Sequence, residues 1–271
     1  MRAFIHLLPV EARRALSRRA VWALVSVALV GLVVLGALAF LSSNDFDPSV
    51  AEPDIARLTD LWLTGGGDGT LTPALIFLAV GAMIGGATVT GADWQNGTII
   101  TLCTWEVRRV PLLLARIVAT ALLATAIGAA LLLLYCLSLV PTYLLRGSIE
   151  GADGGFWTSL LGAIVRMSVL TGLAAALAAS VASIGRRTAV ALGVAFAYLS
   201  FVEGAVRGLW PERSRWLIAE NAIVFVTGAD LEGAPFTRGV PVATLTLFGY
   251  VAFVTGLALV AIRQRDMTGV G

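Results

Sequence analysis

The sequence predicts an all-α membrane protein with six transmembrane helices, and three observations predict this fold. The chain of 271 residues is 58% hydrophobic and 13% charged, with a mean hydropathy of +0.89. Six apolar stretches reach the roughly 20 residues that a helix needs to cross a hydrocarbon core about 30 Å thick. Arginines and acidic residues collect in alternate connections between these stretches. The predicted spans are Ala20–Leu41, Leu71–Ala92, Leu112–Val140, Trp157–Ser183, Thr188–Arg207 and Val242–Arg263.

Residues 1–19, which precede the first span, have the pattern of an amphipathic helix that lies in the membrane interface. Pro9 either kinks this helix or starts its regular part. The alternative is that the segment serves only to place positive charge beside the first span. The apolar face would contain Phe4, Ile5, Leu8, Ala12, Ala15 and Leu16, and the polar residues Arg2, His6, Arg13, Arg14 and Ser17 project elsewhere.

The arginines predict the orientation of the chain, because short loops rich in positive charge stay in the cytoplasm. Most acidic residues fall on the other side. We therefore expect both termini in the cytoplasm. All Lys and Arg positions are Arg, and Ala, Gly, Leu and Val are abundant, which indicates a bacterium, so we expect the chain to cross a bacterial plasma membrane several times. The formal net charge of +2 hides this segregation, so it predicts no affinity for nucleic acid. The cytoplasmic set is Arg2, Arg13, Arg14, Arg18, Arg19, Arg108, Arg109, Arg116, Arg186, Arg187, Arg263 and Arg265.

The segment 92–111, between the second and third spans, carries the most specific pattern of the chain. Asn96 and Gly97 mark a turn, and Thr98 is suited to cap a short helix that follows. Pro111 suits the first turn of the next helix. The pattern predicts a short cytoplasmic helix held at the membrane surface between two turns.

This segment resembles the permease subunits of type-2 ATP-binding cassette (ABC) exporters. In that family an acidic residue, a Gly-Thr pair, an apolar run and two basic positions form the cytoplasmic coupling region. The match departs from the usual pattern in three ways. Asp93 and Arg116 stand where Glu and Lys are more common, and Trp105-Glu106 stand in place of a Pro-containing turn. The matching residues are Asp93, Gly97, Thr98, Ile99, Ile100, Leu102, Arg108 or Arg109, and Arg116.

The resemblance implies a membrane subunit of an ATP-driven exporter that pairs with a second permease chain, the same or homologous, and with two separate ATPase subunits. The ATPases would bind ATP and magnesium, and this chain would need no cofactor. Family members share the interfacial helix, the six spans and a short re-entrant helical segment before the sixth span. The substrate would be amphipathic: a lipid, drug, peptide or glycan precursor.

Within this resemblance, each residue of the coupling region receives an expected role. Ile99, Leu102 and Trp105 would pack in a groove of the ATPase. The alternative for each charge is a solvated loop that only helps topology. The charges expected at the rim of the contact are Asp93, Glu106, Arg108 and Arg109.

Two charges within the apolar spans are the next candidates, because intramembrane charges are costly and usually face the bundle interior. Arg166 in the fourth span and Glu203 near the end of the fifth lie at comparable depth, and they are expected to pair or to contact substrate. Alternatively, Glu203 pairs with Arg207 one turn later. Small residues permit close helix approach, within the chain or to a second chain. In the second span they are Gly81, Gly85, Gly86 and Ala87, which include a G-x-x-x-G spacing.

The resemblance places the contact with a second chain on the first and fifth spans. Gly31, Gly36, Gly193 and Ala197 are small enough for such a contact.

The two long segments on the acidic side, 42–70 and 208–241, are each about thirty residues and too short for a separate domain. The chain therefore reads as one membrane domain over residues 1–271. Two apolar runs in the second segment, Trp216–Ile218 and Ala222–Val226, predict short re-entrant helices, with Gly228 as a helix stop.

Missing residue types exclude several chemistries. The chain has no lysine, so it contains no Walker-type phosphate loop. His6 is the only histidine, which argues against a Ser–His protease and a His-rich metal site. Cys103 and Cys136 are predicted on opposite sides of the membrane, so they cannot pair. We expect no catalytic residue and no metal site. The rival functions are an ion-coupled secondary transporter and a non-transporting scaffold or sensor subunit.

Overall fold

The computed structural model describes residues 2–45, 56–61, 69–98, 109–233 and 235–264. These residues form helices and turns, with two isolated β-bridges and no strand among them. In the described ranges, six helices are long and apolar enough to cross a membrane, which confirms the predicted fold class and defines a multi-pass membrane protein. The first to sixth spans are Arg19–Ser42, Leu71–Gln95, Arg109–Leu145, Gly154–Gly185, Thr188–Leu209 and Val240–Gln264.

The spans extend beyond the predicted bounds because helix ends are set by caps and turns rather than by hydropathy. The fourth span begins at Gly154, where Asp153 Oδ1 accepts a hydrogen bond of 2.8 Å from the backbone N–H of Phe156. It ends at Gly185, before Arg186, which has a left-handed backbone (φ 55°). Pro111 lies in the first turn of the third span, as predicted.

The fourth span is the centre of the bundle and packs against the second, third, fifth and sixth spans. Half of its apolar window is buried, against 11% for the fifth span. Glycines permit the closest approaches, because a Cβ atom at Gly86 would lie 2.9 Å from Cα of Ala175, and one at Gly172 would lie 2.8 Å from the carbonyl oxygen of Ala121. Gly86, rather than the Gly81 and Gly85 pair, therefore makes this packing contact.

The glycines of the first span serve packing inside the chain. A Cβ atom at Gly31 would lie 2.6 Å from the ring of Phe77, and one at Gly36 would lie 3.1 Å from Cβ of Ser138. Gly31 and Gly36 therefore face the second and third spans of the same chain. The contact with a second chain through the first and fifth spans stays a prediction. On the fifth span, Gly193 and Ala197 remain exposed.

The fifth span is not a continuous α-helix. It consists of an α-helix from Thr188 to Ala197, a π-helical turn from Tyr198 to Val202 and a second α-helix from Glu203 to Leu209. A π turn changes the direction in which the following residues project. The turn therefore sets where Glu203 points.

The N-terminal helix, Arg2–Leu16, continues through Pro9 and packs against the third span. Its buried residues include Glu11 and Ala15, whereas Leu16 is exposed. The face that meets the third span therefore carries a carboxylate, Glu11, and Leu16 lies outside that contact. The indole N–H of Trp22 donates to the carbonyl oxygen of Leu16 at 2.8 Å, which joins this helix to the first span.

On the side opposite the arginine-rich ends, a 3₁₀ turn, Pro211–Trp216, precedes a short helix, Ile218–Thr227. We call the latter the loop helix. Gly228 ends it with a left-handed backbone (φ 67°), which confirms the predicted stop. Leu231 and Arg238 then pair through both of their backbone hydrogen bonds before the sixth span begins.

Candidate functional site: a charge cluster at the arginine-rich end

Asp93, in the last turn of the second span, is a buried carboxylate surrounded by arginines. Its Oδ1 accepts from Nη2 of Arg18 at 2.6 Å and from Nη2 of Arg14 at 3.4 Å. Its Oδ2 lies 2.8 Å from Nη1 of Arg116. The second span thereby meets the N-terminal helix and the third span at one side chain.

Arg116 completes this cluster from the third span, where its side chain is 2% exposed. Its Nε donates to Oε2 of Glu11 at 2.8 Å, and Glu11 lies 3.9 Å from Arg14. Three guanidinium groups thus face two carboxylates, which leaves a net charge of +1. We call this set the Asp93 cluster, and its members are Glu11, Arg14, Arg18, Asp93 and Arg116.

Burial makes every charge in the cluster depend on the others. Taking an ion out of water costs several kcal/mol, so a buried charge is tolerated only beside an opposite charge. Desolvation lowers the pKa of Arg14, and the nearby Asp93 carboxylate opposes this shift. Nη1 of Arg14, Nη2 of Arg116 and Oδ2 of Asp93 are buried and have no hydrogen-bond partner of good geometry within the described part of the chain, although Oδ2 forms the ion pair with Arg116. The cluster therefore has spare donors and excess positive charge.

The turn predicted after the second span is present. Gly97 has a left-handed backbone (φ 69°), and Thr98 follows it. The Thr98 hydroxyl donates toward the Asp93 carbonyl oxygen at 3.2 Å and toward Oδ1 at 3.1 Å. The Thr98 hydroxyl therefore contacts the end of the second span, because Gly97 turns the chain back toward Asp93. The helix that Thr98 is predicted to cap lies outside the described residues, so that role stays a prediction.

The coupling segment itself lies mostly outside the described residues. Arg109 is described and begins the third span, where it is half-buried and has a partner. The predicted roles in contacting an ATPase stay predictions. The residues concerned are Ile99, Leu102, Trp105, Glu106 and Arg108, and Cys103 is also outside the described ranges.

The fourth span reaches the same end of the bundle through a ring contact. The guanidinium carbon of Arg186 lies 5.4 Å from the centre of the Trp94 ring. Sequence reasoning missed this contact and the roles of Glu11, Arg14 and Arg18. The available signal was a lone acid, Glu11, among arginines on a helix predicted to be apolar on one face.

Glu203 in the fifth span holds the beginning of the loop helix. Its Oε1 accepts from the backbone N–H of Ala219 at 3.0 Å, and its Oε2 accepts from Arg207 at 3.2 Å. Arg207 also donates to Glu220 at 2.7 Å. Of the two predicted partners of Glu203, the structure therefore has Arg207.

Arg166 in the fourth span holds the other end of the loop helix. Its Nε donates to the carbonyl oxygen of Val226 at 3.0 Å, and its Nη2 donates to that of Thr227 at 3.3 Å. The expected pair between Arg166 and Glu203 is therefore not formed. Instead, an acid lies at the N-terminus of the loop helix and a base at its C-terminus, an arrangement that complements the helix dipole.

Arg238 fixes the middle of the loop helix to the start of the sixth span. It is buried, and it donates to Oδ1 of Asn221 at 2.8 Å and to the hydroxyl of Thr246 at 2.5 Å. Its guanidinium carbon lies 5.0 Å from the centre of the Trp216 ring. Burial lowers the pKa of Arg238. Sequence reasoning missed this residue because its partners come from three separate segments.

A cavity of about 500 Å³ lies between the fourth, fifth and sixth spans. Its walls are apolar apart from Tyr198 and Tyr250, and Ile218 of the loop helix lines it on one side. The Tyr250 hydroxyl donates to the carbonyl oxygen of Trp216 at 2.7 Å. No charged side chain among the described residues lines this cavity. Its chemistry suits an apolar molecule.

No protein-family model matches this sequence, and comparison with curated proteins also finds no match.

Proposed function

We propose that this chain is the membrane-spanning subunit of an ATP-driven exporter in the plasma membrane of a bacterium. It would act with separate ATP-binding cassette ATPase subunits and a second permease chain, the same or homologous. The observation that carries the proposal is the Asp93 cluster, which joins the last turn of the second span to the first part of the third span. Both termini and the arginine-rich side would then face the cytoplasm.

The cluster supplies what a coupling region requires mechanically. Asp93 stands in the last turn of the second span, and Arg116 stands two turns into the third span. Arg14, Arg18 and Glu11 tie both to the N-terminal segment. Buried networks of charged hydrogen bonds are rigid when their members are paired. A displacement of the segment between these spans would therefore move three helices together instead of bending one loop.

The roles of the remaining coupling residues follow from this arrangement. The Gly97–Thr98 turn begins the segment that would contact the ATPase, and Arg109 ends it at the start of the third span. Ile99, Leu102 and Trp105 would supply the apolar contact, with Glu106 and Arg108 at its rim. The N-terminal helix would lie in the membrane interface.

The loop helix would be a re-entrant element of the side opposite the cytoplasm. Arg166 and Glu203 hold its two ends, so these intramembrane charges have structural partners. The neighbouring cavity of about 500 Å³ is apolar and would accommodate the apolar part of an amphipathic cargo such as a lipid, drug, peptide or glycan precursor. Ion-coupled transport needs ionisable groups along the pathway, and in the described lining of this cavity only two tyrosines titrate.

The test is to purify the tagged chain from its native host in mild detergent and to identify bound proteins by mass spectrometry. We expect a stoichiometric ATP-binding cassette subunit and ATPase activity in the purified complex. The double variant Arg108→Glu with Arg109→Glu should lose both, because it reverses the charge of the contact rim.

Arg187→Glu is the matched control, since Arg187 is exposed on the same side but lies outside the segment. It should keep the ATPase. If the wild-type chain purifies alone, under conditions that preserve other membrane complexes of the host, the exporter proposal fails. A secondary transporter or a scaffold subunit would then take its place.

A further inference from the structure

A crevice separates the first span from the second, third and fourth spans, and it encloses about 100 Å³. It is partly open, and its walls are apolar apart from two threonines. Along the third span the lining runs from Thr120 to Leu131, which corresponds to about 16 Å at 1.5 Å per residue. A hydrocarbon core is about 30 Å thick, so the crevice is as deep as one leaflet.

One end of the crevice lies at the Asp93 cluster. Ala15 lines the crevice and directly follows Arg14 of the cluster. Thr120 and Val89 line it too, one helical turn from Arg116 and Asp93 respectively. The apolar crevice therefore begins where the buried charges of the arginine-rich side end.

This end of the crevice contains unused polar groups. Thr120 is 6% exposed, and its hydroxyl has no hydrogen-bond partner among the described residues. The nearby cluster holds a net charge of +1, and its Arg14 and Arg18 side chains are 27% and 20% exposed. Arg13 and Arg19, next to them in sequence, are exposed. A negatively charged group at this position would meet the net positive charge of the cluster and the neighbouring Arg13 and Arg19.

The body of the crevice stays open because glycines line it. A Cβ atom at Gly81 would have no atom within 4 Å, and one at Gly85 would meet only Leu24, at 3.8 Å. The first span thus leaves the second span uncovered along this face. In a membrane, the acyl chain of a lipid can fill such a crevice.

We propose that this crevice binds an anionic phospholipid of the leaflet on the arginine-rich side. One acyl chain lies along the crevice, and the phosphate lies at the exposed edges of Arg14 and Arg18. Basic residues at the end of a span attract anionic lipid, whereas an apolar crevice alone would not distinguish between headgroups. This inference does not depend on the proposed function, because it concerns the chain without an ATPase.

The experiment is native mass spectrometry of the full chain in detergent, titrated with phosphatidylglycerol or phosphatidylcholine. We expect one phosphatidylglycerol to stay bound at lipid concentrations where phosphatidylcholine does not. Arg14→Gln should weaken the retention about fivefold, the effect of removing roughly one arginine from a lipid contact. Arg187→Gln removes an exposed arginine of the same side and should leave retention unchanged.

Filling the crevice tests the acyl chain separately. Gly81→Leu and Gly85→Leu should each abolish the specific retention of phosphatidylglycerol, because the leucine side chain would occupy the crevice. Neither change should disturb the packing of the chain, because a Cβ atom at Gly81 has no atom within 4 Å and one at Gly85 is in ordinary contact with Leu24. Gly256→Leu in the sixth span is the matched control, because a Cβ atom there also has no atom within 4 Å. Thermal unfolding of each variant confirms that it is folded.

Three results would overturn the proposal. The wild-type chain could retain both lipids equally or neither. The leucine variants of the crevice could retain phosphatidylglycerol as well as Gly256→Leu does. Glycerol phosphate alone could displace the lipid, which would show a site for the phosphate group without a site for the chain.

Discussion

At the scale of single residues, Asp93 contacts several side chains, and most of them are distant from it in sequence. Its two oxygens lie within 3.4 Å of three arginines and of the Thr98 hydroxyl. A carboxylate there neutralises charges that the bundle would otherwise bury alone. The energetic role of Asp93 is therefore to permit the burial of Arg116.

Asp93→Asn should destabilise the protein by about 3–5 kcal/mol, the usual cost of leaving a buried charge without its partner. The measurement is equilibrium unfolding in detergent. Glu232→Gln is the control, since Glu232 is exposed on the opposite side and should change stability by less than about 0.5 kcal/mol. Equal stability of the two variants would show that Asp93 is hydrated rather than buried among arginines.

The residues of the cluster show how far sequence reasoning reached at this scale. Asp93 and Arg116 were predicted as functional positions, but as contacts to another protein rather than to each other. Glu11, Arg14 and Arg18 received only topological roles. Helical spacing along one segment cannot reveal that Glu11 meets Arg116, because the two residues are 105 positions apart.

At the scale of elements, the loop helix is held by charges from two different spans. Glu203 accepts at its N-terminus, and Arg166 donates at its C-terminus. A helix of ten residues is marginal on its own, so these contacts decide whether it stays folded. The apolar pattern predicted the helix, but its anchors depend on the rotation of the fourth and fifth spans.

Arg166→Met should loosen the C-terminal end of the loop helix, because the carbonyl oxygens of Val226 and Thr227 lose their donor. Hydrogen exchange followed by mass spectrometry should show faster exchange in the peptide that covers residues 218–228. Arg215→Gln, an exposed change in the preceding turn, should leave that exchange as in the wild type. Unchanged exchange in Arg166→Met would mean that this arginine does not hold the helix.

The π turn of the fifth span belongs to the same scale. Deleting Ser200 from this turn should restore a regular α-helix, since a π turn accommodates one extra residue. Glu203 would then project in a different direction and lose its bond to Ala219. We expect a lower unfolding temperature and faster hydrogen exchange of the loop-helix amides. Both quantities should be close to those measured for Glu203→Ala. A deletion variant as stable as the wild type would contradict this role.

At the scale of the whole molecule, packing is organised around the fourth span, and the first, fifth and sixth spans are the most exposed. The predicted number of spans and their order were correct, because each span is a local property of its own stretch. Their arrangement was not predictable from hydropathy, since both exposed and buried faces of a span are apolar in a bilayer.

Gly86→Leu should disrupt this packing, because even a Cβ atom would lie 2.9 Å from Cα of Ala175. Overpacking of this kind costs about 1–3 kcal/mol or more. Gly193→Leu on the exposed fifth span should keep the stability of the wild type, because a Cβ atom there has no atom within 4 Å. The measurement is the unfolding temperature of Gly86→Leu and Gly193→Leu in detergent. Equal values would contradict the close contact between the second and fourth spans at Gly86.

The proposed orientation is testable with single cysteines in a variant whose Cys103 and Cys136 are replaced by alanine. A membrane-impermeant maleimide added to intact cells should label Glu232→Cys and not Arg187→Cys, because the arginine-rich side would be cytoplasmic. Arg187→Cys should react only after the cells are permeabilised. The reverse pattern would show that both termini lie outside.

The sequence by itself determined the fold class, the six spans and the segregation of charge, and it predicts a coupling role for the segment 92–111. Hydropathy, charge and turn residues determine structure over one or two helical turns, so their effects can be predicted from neighbouring positions in the sequence. Only the tertiary structure decided which charges meet. Arg116 contacts both Glu11 and Asp93. Arg166 donates to the backbone carbonyl oxygens of Val226 and Thr227, which are 60 and 61 positions later in the chain. These contacts depend on the rotation of each helix about its own axis, because that rotation decides which side chain of a neighbouring helix a buried charge faces.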